Sequence, residues 1–259
     1  MLGYKKYLPS SQHTPYQLYD ALTLKASAKS ADAVVVSSKL EYEDAVEFGI
    51  QKTKLHVIPM GVDVDEYVNN PINPSGDSIN ILFVGRIARV RRIEILLQAV
   101  AKLSISFHLT LVGGEEKTSS LSRSGYLDEL KKLCGTLNIN DRVAFIGPVA
   151  QDELFNWYSK GDIFVYPSLY ENFGQPILEA AAAGLPIIST PVGVAQEIIT
   201  DNKTGFLFNG DDQELTDRIT QLTDLSLRKE MGKALRERVR SLYGWEKIIK
   251  QYLGLYHSL

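Results

Sequence analysis

Short apolar runs alternate with longer stretches of helical periodicity along most of the chain. The runs fall at residues 33–37, 55–59, 79–84, 108–112, 142–146, 162–166, 186–189 and 205–208. Between them, apolar residues recur at helical spacing. This alternation predicts a parallel sheet with helices on both faces. Most runs hold too few polar residues to be wet on one side, so both faces are expected to be covered. From residue 211 to 259 the strand pattern stops and helical spacing alone remains, ending in an amphipathic stretch that begins at Trp245.

One break interrupts the alternation. Residues 69–77 (Asn-Asn-Pro-Ile-Asn-Pro-Ser-Gly-Asp) are rich in turn formers and poor in apolar side chains, which predicts a domain boundary. Three units follow: residues 1–76, with two strands; residues 77–240, with six; and residues 241–259, a terminal helix expected to pack back toward the N-terminal part. Six strands suffice for a complete doubly wound α/β domain with a ligand crevice at their carboxyl ends. Two are too few for a second core of that kind.

Composition narrows the function classes. With 259 residues, 44% hydrophobic and 23% charged, the chain has the makeup of a folded soluble protein. The net charge of −3 and the scattered Lys and Arg residues give no footprint for nucleic acid. Cys134 is the only cysteine, so the chain holds no internal disulfide and no cysteine metal cage, which fits a reducing compartment and a buried thiol. No stretch has the length of a membrane span and no apolar signal core opens the chain. The expectation is a cytoplasmic protein, with peripheral contact at the membrane left open.

Three segments could carry chemistry. In residues 167–184 a loop after a strand leads into a helix, with Glu171 in the loop and Glu179 inside the helix beside Leu178 and a run of alanines. A carboxylate in so apolar a setting needs a partner. Backbone N–H groups of Phe173, Gly174 and Gln175 would be the unpaired donors of the helix start, suited to a diphosphate, which glycine at 174 lets approach closely. The alternative is a surface loop capped by Glu171, with Glu179 reaching solvent. In residues 83–94, Gly85 allows a tight turn, and Arg86 and Arg91 would set two cations where a leaving diphosphate gains charge. The alternative there is a solvated cluster of four arginines. The third segment, 189–199, is another glycine turn entering a helix and contains Glu197; alone it is weak.

In this order the segments resemble the C-terminal domain of the family-4 retaining glycosyltransferases (glycosyltransferases group 1, GT-B fold), from about Ala31 onward. The matches are Ala31-Asp32-Ala33-Val34, Val57-Ile58-Pro59-Met60-Gly61-Val62-Asp63, Gly85-Arg86, the run from Val143 through Gly147 to Val149, the Glu171 to Glu179 spacing, Gly184 to Glu197, and Trp245. The resemblance implies a Rossmann-like donor-binding domain for residues 77–240 and a remnant of the acceptor domain for residues 1–76. It implies a hexosyltransferase-type enzyme moving a sugar from a UDP- or GDP-sugar to a hydroxyl of a glycan or lipid-linked acceptor. Glu179 would bind the ribose and Glu171 the donor sugar. Arg86 and Arg91 would hold the diphosphate, with Gly85, Asn172, Phe173, Gly174 and Gln175 lining the donor site and Glu197 near it. No cofactor and no metal is implied, and the leaving phosphate would take the acceptor proton.

The chain also departs from the pattern. Arg91 replaces a usual lysine, and Arg92 stands where glycine is common, either crowding the phosphate site or adding a cation to it. Residues 117–125 read as an unassigned loop. Most of the acceptor domain, with its glycine-rich loop and histidine, is expected to be absent. His13, His56, His108 and His257 fall outside the motifs and are assigned surface or structural roles. Asp63-Val64-Asp65 has the form of a metal-binding pair, but its position matches the inter-domain segment of a metal-independent family. Three other readings remain: a nucleotide-sugar-binding module needing a partner chain or self-association to cover the incomplete N-terminal part, an inactive fragment, and, more weakly, a sugar-nucleotide epimerase.

Overall fold

A computed structural model describes residues 23–67, 78–115 and 125–259. The turn-rich boundary at 69–77, the loop at 117–124 and His13 lie outside the described residues.

All eight apolar runs contain strands: β1 Val34–Val36, β2 Leu55–Val57, β3 Ile79–Val84, β4 Phe107–Val112, β5 Val143–Gly147, β6 Ile163–Tyr166, β7 Ile187–Ser189 and β8 Phe206–Leu207. Helices occupy the intervals: α1 Lys25–Ser30, α2 Lys39–Glu47, α3 Ile93–Ala101, α4 Tyr126–Thr136, α5 Leu154–Tyr158, α6 Gln175–Ala182, α7 Ala195–Ile198, α8 Asp212–Gln221, α9 Leu225–Tyr243 and α10 Trp245–Ser258.

β3 to β8 form one parallel sheet in the order β5-β4-β3-β6-β7-β8, while β1 and β2 pair parallel in a separate two-stranded sheet. The chain works outward from β3 to β5 on one side, then returns to start again at β6 on the other. The strand order therefore reverses between β3 and β6, where the connections leave in opposite directions and open a crevice. Continuous apolar sequence follows from helices on both faces: Ile81, Phe83, Phe164 and Val165 are fully buried.

The alanine run reads as packing space. Ala180, Ala181 and Ala182 on α6 are fully buried, and small side chains let α9 approach. The approach is closest at Gly232, where an added Cβ would sit 2.0 Å from the Gly184 carbonyl oxygen. The segment after β2 is tied to the α9–α10 junction: Val62 N–H donates to the Tyr243 carbonyl at 2.9 Å, and Gly61 packs flat against the Trp245 indole.

Candidate functional site

β3 ends at Val84, and Gly113, just past β4, packs so tightly there that a Cβ would lie 1.9 Å from the Gly85 carbonyl oxygen. Glycine at 113 lets the two strand ends close into a smooth floor. Above it lies a crevice of about 310 Å³ whose walls include Gly85, Arg86, Gly114, Gln151, Gln175 and Glu179. Residues 86 and 179 thus face one space because β3 and β6 are neighbours at the reversal.

α6 begins at Gln175 with Gly174 left-handed at its N-cap (φ 91°) and Pro176 in the first turn. A glycine cap supplies no side-chain acceptor for the Gln175 N–H, while Pro176 has none to offer and those of Ile177 and Leu178 are taken by the Gly174 carbonyl. Gly193 holds this turn in place: its missing Cβ lets it lie against the Phe173 carbonyl, which accepts from Val194 N–H at 2.6 Å.

Glu179 is buried, at 5% exposure. The Tyr158 hydroxyl donates to its Oε2 at 2.8 Å, and Gln151 Nε2 reaches Oε1 at 3.5 Å. Burial pushes the Glu179 carboxyl above its ordinary value, while Tyr158, Gln151 and Gln175 pull it back down. The surface alternative, in which Glu179 reaches solvent, is excluded.

Glu171 sits in the β6–α6 loop with one oxygen doubly bound: Oε1 accepts from the Tyr166 hydroxyl at 2.5 Å and from Arg91 Nη2 at 2.6 Å. Burial pushes the Tyr166 phenol well above its usual range, against the opposing charge of Arg91, so the hydroxyl stays a donor.

The four arginines do not form a solvated cluster. Arg86 lines the crevice. Arg89 pairs with Glu129 at 2.5 Å on the surface. Arg91, expected beside Arg86 on the diphosphate, is 5% exposed and donates to the Tyr170 carbonyl of the β6–α6 loop at 3.0 Å. Arg92 adopts a left-handed backbone (φ 49°), which is why glycine suits this position. Its side chain donates to the Pro167 carbonyl at 3.0 Å and lies over Gly210, so it neither crowds the crevice nor adds a cation to it.

Other expectations also move. Asn172 turns away from the crevice: its carbonyl accepts from Ser38 Oγ and its Oδ1 from the Tyr170 hydroxyl, both at 2.5 Å. Glu197 is absent from the crevice lining; its carboxylate accepts from Lys39 N–H at 3.0 Å and the Tyr243 hydroxyl at 3.1 Å, fastening α2 to the larger domain. Asp63 caps its own turn by accepting from Asp65 N–H at 3.0 Å, and Asp65 pairs with Arg240 at 2.7 Å. No cluster of three metal-ligating side chains occurs among the described residues.

Sequence reasoning missed Gln151 and Tyr158. Each reaches Glu179 from more than twenty positions away, and neither stands in a segment whose local pattern marks it. A larger cavity, about 620 Å³, lies between residues 62–65 and the start of α10. Its charges are mixed and its Arg240 is already paired, so it lacks the convergence of donors seen in the smaller crevice.

This geometry agrees with comparison to known proteins. Residues 67–238 match the model of glycosyl transferases group 1, and residues 3–66 that of glycosyltransferase family 4. The chain belongs to the glycosyl transferases group 1 family. It is 30% identical over 245 residues to D-inositol 3-phosphate glycosyltransferase of Xylanimonas cellulosilytica, covering 88% of this chain and 57% of that protein. Sucrose-phosphate synthase from Thermosynechococcus elongatus superposes with a TM-score of 0.81 at 31% identity, over 100% of this chain and 66% of that one. Anabaena HepE in complex with UDP and glucose shares the fold at 22% identity, with a TM-score of 0.85 over 98% and 70% of the two chains. The GT-B architecture expected from the sequence is therefore observed. The chain spans less than two thirds of the length of that inositol phosphate enzyme. No helix among the described residues is long and apolar enough to cross a membrane.

Proposed function

We propose that this member of the glycosyl transferases group 1 family binds a nucleotide diphosphate sugar in the β3–β6 crevice and transfers the sugar to a hydroxyl acceptor on a glycan or lipid-linked molecule. The observation that carries the reading is the convergence of Arg86, the glycine-capped start of α6 and the buried Glu179 on one crevice. Glu179 accepts from the ribose hydroxyls, and Arg86 with the Gly174 and Gln175 N–H groups takes the diphosphate. Glu171 meets the donor sugar. Charge develops on the leaving phosphate, so fixed cations and N–H dipoles aimed there lower the barrier. Attack and departure share one face, the phosphate accepts the acceptor proton, and the anomeric configuration is retained without metal or side-chain nucleophile. The reaction belongs in the cytoplasm, where a lone buried thiol such as Cys134 stays reduced. UDP is the first base to try, because the HepE structures contain it.

The test is thermal unfolding with UDP, GDP, ADP and their sugar conjugates, each with and without chelator. A ligand at about a hundred times its dissociation constant adds roughly 2.7 kcal/mol. Stabilisation by one nucleotide that resists chelator and vanishes in Glu179→Ala supports the reading. Absence of any nucleotide effect defeats it.

A second reading is favoured by the apolar surface on the N-terminal side. Val35 and Val57 on the two-stranded sheet, and Trp245, Ile249, Leu253 and Tyr256 on α10, are exposed. Such a face asks for cover, so the chain would hold donor and transfer only with a second polypeptide seated there. Sugar transfer by the purified chain alone rejects this alternative.

A further inference from the structure

Gln175 opens α6 and Glu179 stands one turn further along, so the two side chains share a face of the helix, and both stand in the crevice wall. Nε2 of Gln175 donates to the Gly61 carbonyl at 3.3 Å, across 114 positions of the chain. Its Oε1 is buried and has no hydrogen-bond partner among the described residues. Gly61 is a fixed post: it lies flat against the Trp245 indole, and its neighbour Val62 donates to the Tyr243 carbonyl at 2.9 Å.

We infer that the side chain of Gln175 is a positioning residue for the nucleotide ribose: it braces Glu179 against the Gly61 carbonyl, so the segment after β2 shares in aiming the carboxylate that accepts from the ribose hydroxyls. The inference rests on the crevice being a nucleotide-sugar site, and three observations support it. First, the amide has one workable orientation. Turned over, Oε1 would face the Gly61 carbonyl, acceptor against acceptor, and the nitrogen would be buried where no partner is offered. Second, the amide is a poor packing residue. A buried oxygen without a donor destabilises, which an apolar side chain of the same length would avoid, so what the amide contributes lies on its nitrogen. That nitrogen carries two hydrogens. One is engaged by Gly61, and Gln175 also acts on the Glu179 carboxyl as a hydrogen-bond donor, drawing it down. Third, the other donors leave the carboxylate half held. Tyr158 fixes Oε2 at 2.8 Å, but Gln151 is exposed and reaches Oε1 only at 3.5 Å. Gln175 is anchored at its far side.

The experiment is calorimetric binding of UMP, UDP and the 2′- and 3′-deoxy forms of UDP, or of the matching set for whichever base stabilises the protein. The loss of affinity from UDP to its deoxy forms reads the ribose contact, and the gain from UMP to UDP reads the β-phosphate contact. Wild type, Gln175→Leu, Gln175→Met, Glu179→Gln and the double variant Gln175→Leu with Glu179→Gln are compared, each checked for a cooperative melt. Wild type should discriminate against at least one deoxy form by about tenfold or more, the worth of one hydrogen bond to a charged group. In Gln175→Leu and Gln175→Met that factor should fall to about threefold or less, while the β-phosphate step stays within about twofold of wild type, because the backbone N–H of residue 175 is unchanged. The double variant should discriminate no less than Glu179→Gln alone, as expected when Gln175 acts through Glu179. A pH profile adds a second readout. Tyr158, Tyr67 and Gln151 face Glu179 and are uncharged near neutrality, with Arg86 in the same crevice wall. Losing the Gln175 donor should therefore move the fall of UDP affinity on acidification to higher pH.

Deoxy discrimination that keeps its wild-type strength in Gln175→Leu and Gln175→Met overturns the inference. So does an equal loss in the ribose and phosphate steps, an additive loss in the double variant, an unmoved pH profile, or a wild-type protein that binds UDP and its deoxy forms alike. Gln175→Met decides should the leucine variant fail to fold. A wild-type protein that binds no nucleotide defeats the donor-site reading itself, and the inference with it.

Discussion

The hydroxyl of Tyr158, at the end of α5, donates to Oε2 of Glu179 at 2.8 Å inside α6, with both side chains buried. Tyr67 stands edge-on to the Tyr158 ring at 5.9 Å, so the tyrosine is itself held by the segment that follows β2. A carboxylate kept from water by an alanine-rich helix thus obtains its donor from another element.

This pair makes stability and binding respond to pH in opposite senses. Burial raises the folded carboxyl above its unfolded value of about 4.5. Protonation therefore favours the folded state. The contribution is fully present below the unfolded value and is lost as pH rises through the folded one. Wild type should gain stability relative to Glu179→Gln as pH is lowered from neutrality toward the unfolded value of about 4.5, read from urea midpoints. Nucleotide affinity should fall over the same interval, because the ribose hydroxyls donate to the ionised form. Removing the donor in Tyr158→Phe should cost about 1.5–3 kcal/mol, as for hydrogen bonds to charged groups. A flat pH profile for the wild-type difference would contradict this account.

Gly61 and Trp245 are expected to show strong coupling. A Cβ at position 61 would lie 2.6 Å from the indole, so Gly61→Ala should destabilise by about 1–3 kcal/mol through overpacking. In a Trp245→Ala background the same change should cost almost nothing. A double-mutant cycle in chemical denaturation measures the difference, and additive effects would show that the ring does not set the glycine requirement.

Gly232 sets helix propensity against packing. Alanine at this position would strengthen the middle of α9 by up to about 1 kcal/mol. Its Cβ, however, would meet the Gly184 carbonyl at 2.0 Å, and a backbone atom cannot rotate aside. Packing should win, and Gly232→Ala should lower the urea midpoint. A raised midpoint would mean that α9 can slide outward freely.

Ser38 joins the small N-terminal unit to the donor loop. Its Oγ caps α2 by accepting from Glu41 N–H at 3.1 Å and donates to the Asn172 carbonyl at 2.5 Å. Ser38→Ala should cost about 1 kcal/mol as a lost cap. It should also raise amide exchange in residues 170–174, which a cap serving α2 alone would not do.

Much of this was legible in the letters. Strand and helix periods are local, so the eight runs and the parallel α/β class followed from spacing. Glu171 and Glu179 lie close in sequence, so a loop carboxylate and a helix carboxylate in one neighbourhood were also readable, as was the burial of Cys134. The partners of those groups were not. Arg91 meets Glu171 across eighty positions, and Glu197 meets Lys39 across 158. Nothing in the local pattern of 83–94 tells which of its arginines faces the crevice. That choice depends on β3 lying beside β6, on the left-handed turn at Arg92, and on which side of the sheet each connection leaves. The sequence by itself determined the elements and the chemistry available to them, because both are encoded within a few residues. Only the tertiary structure decided which charges meet, because pairing is settled by strand order and by the cost of leaving a buried charge alone.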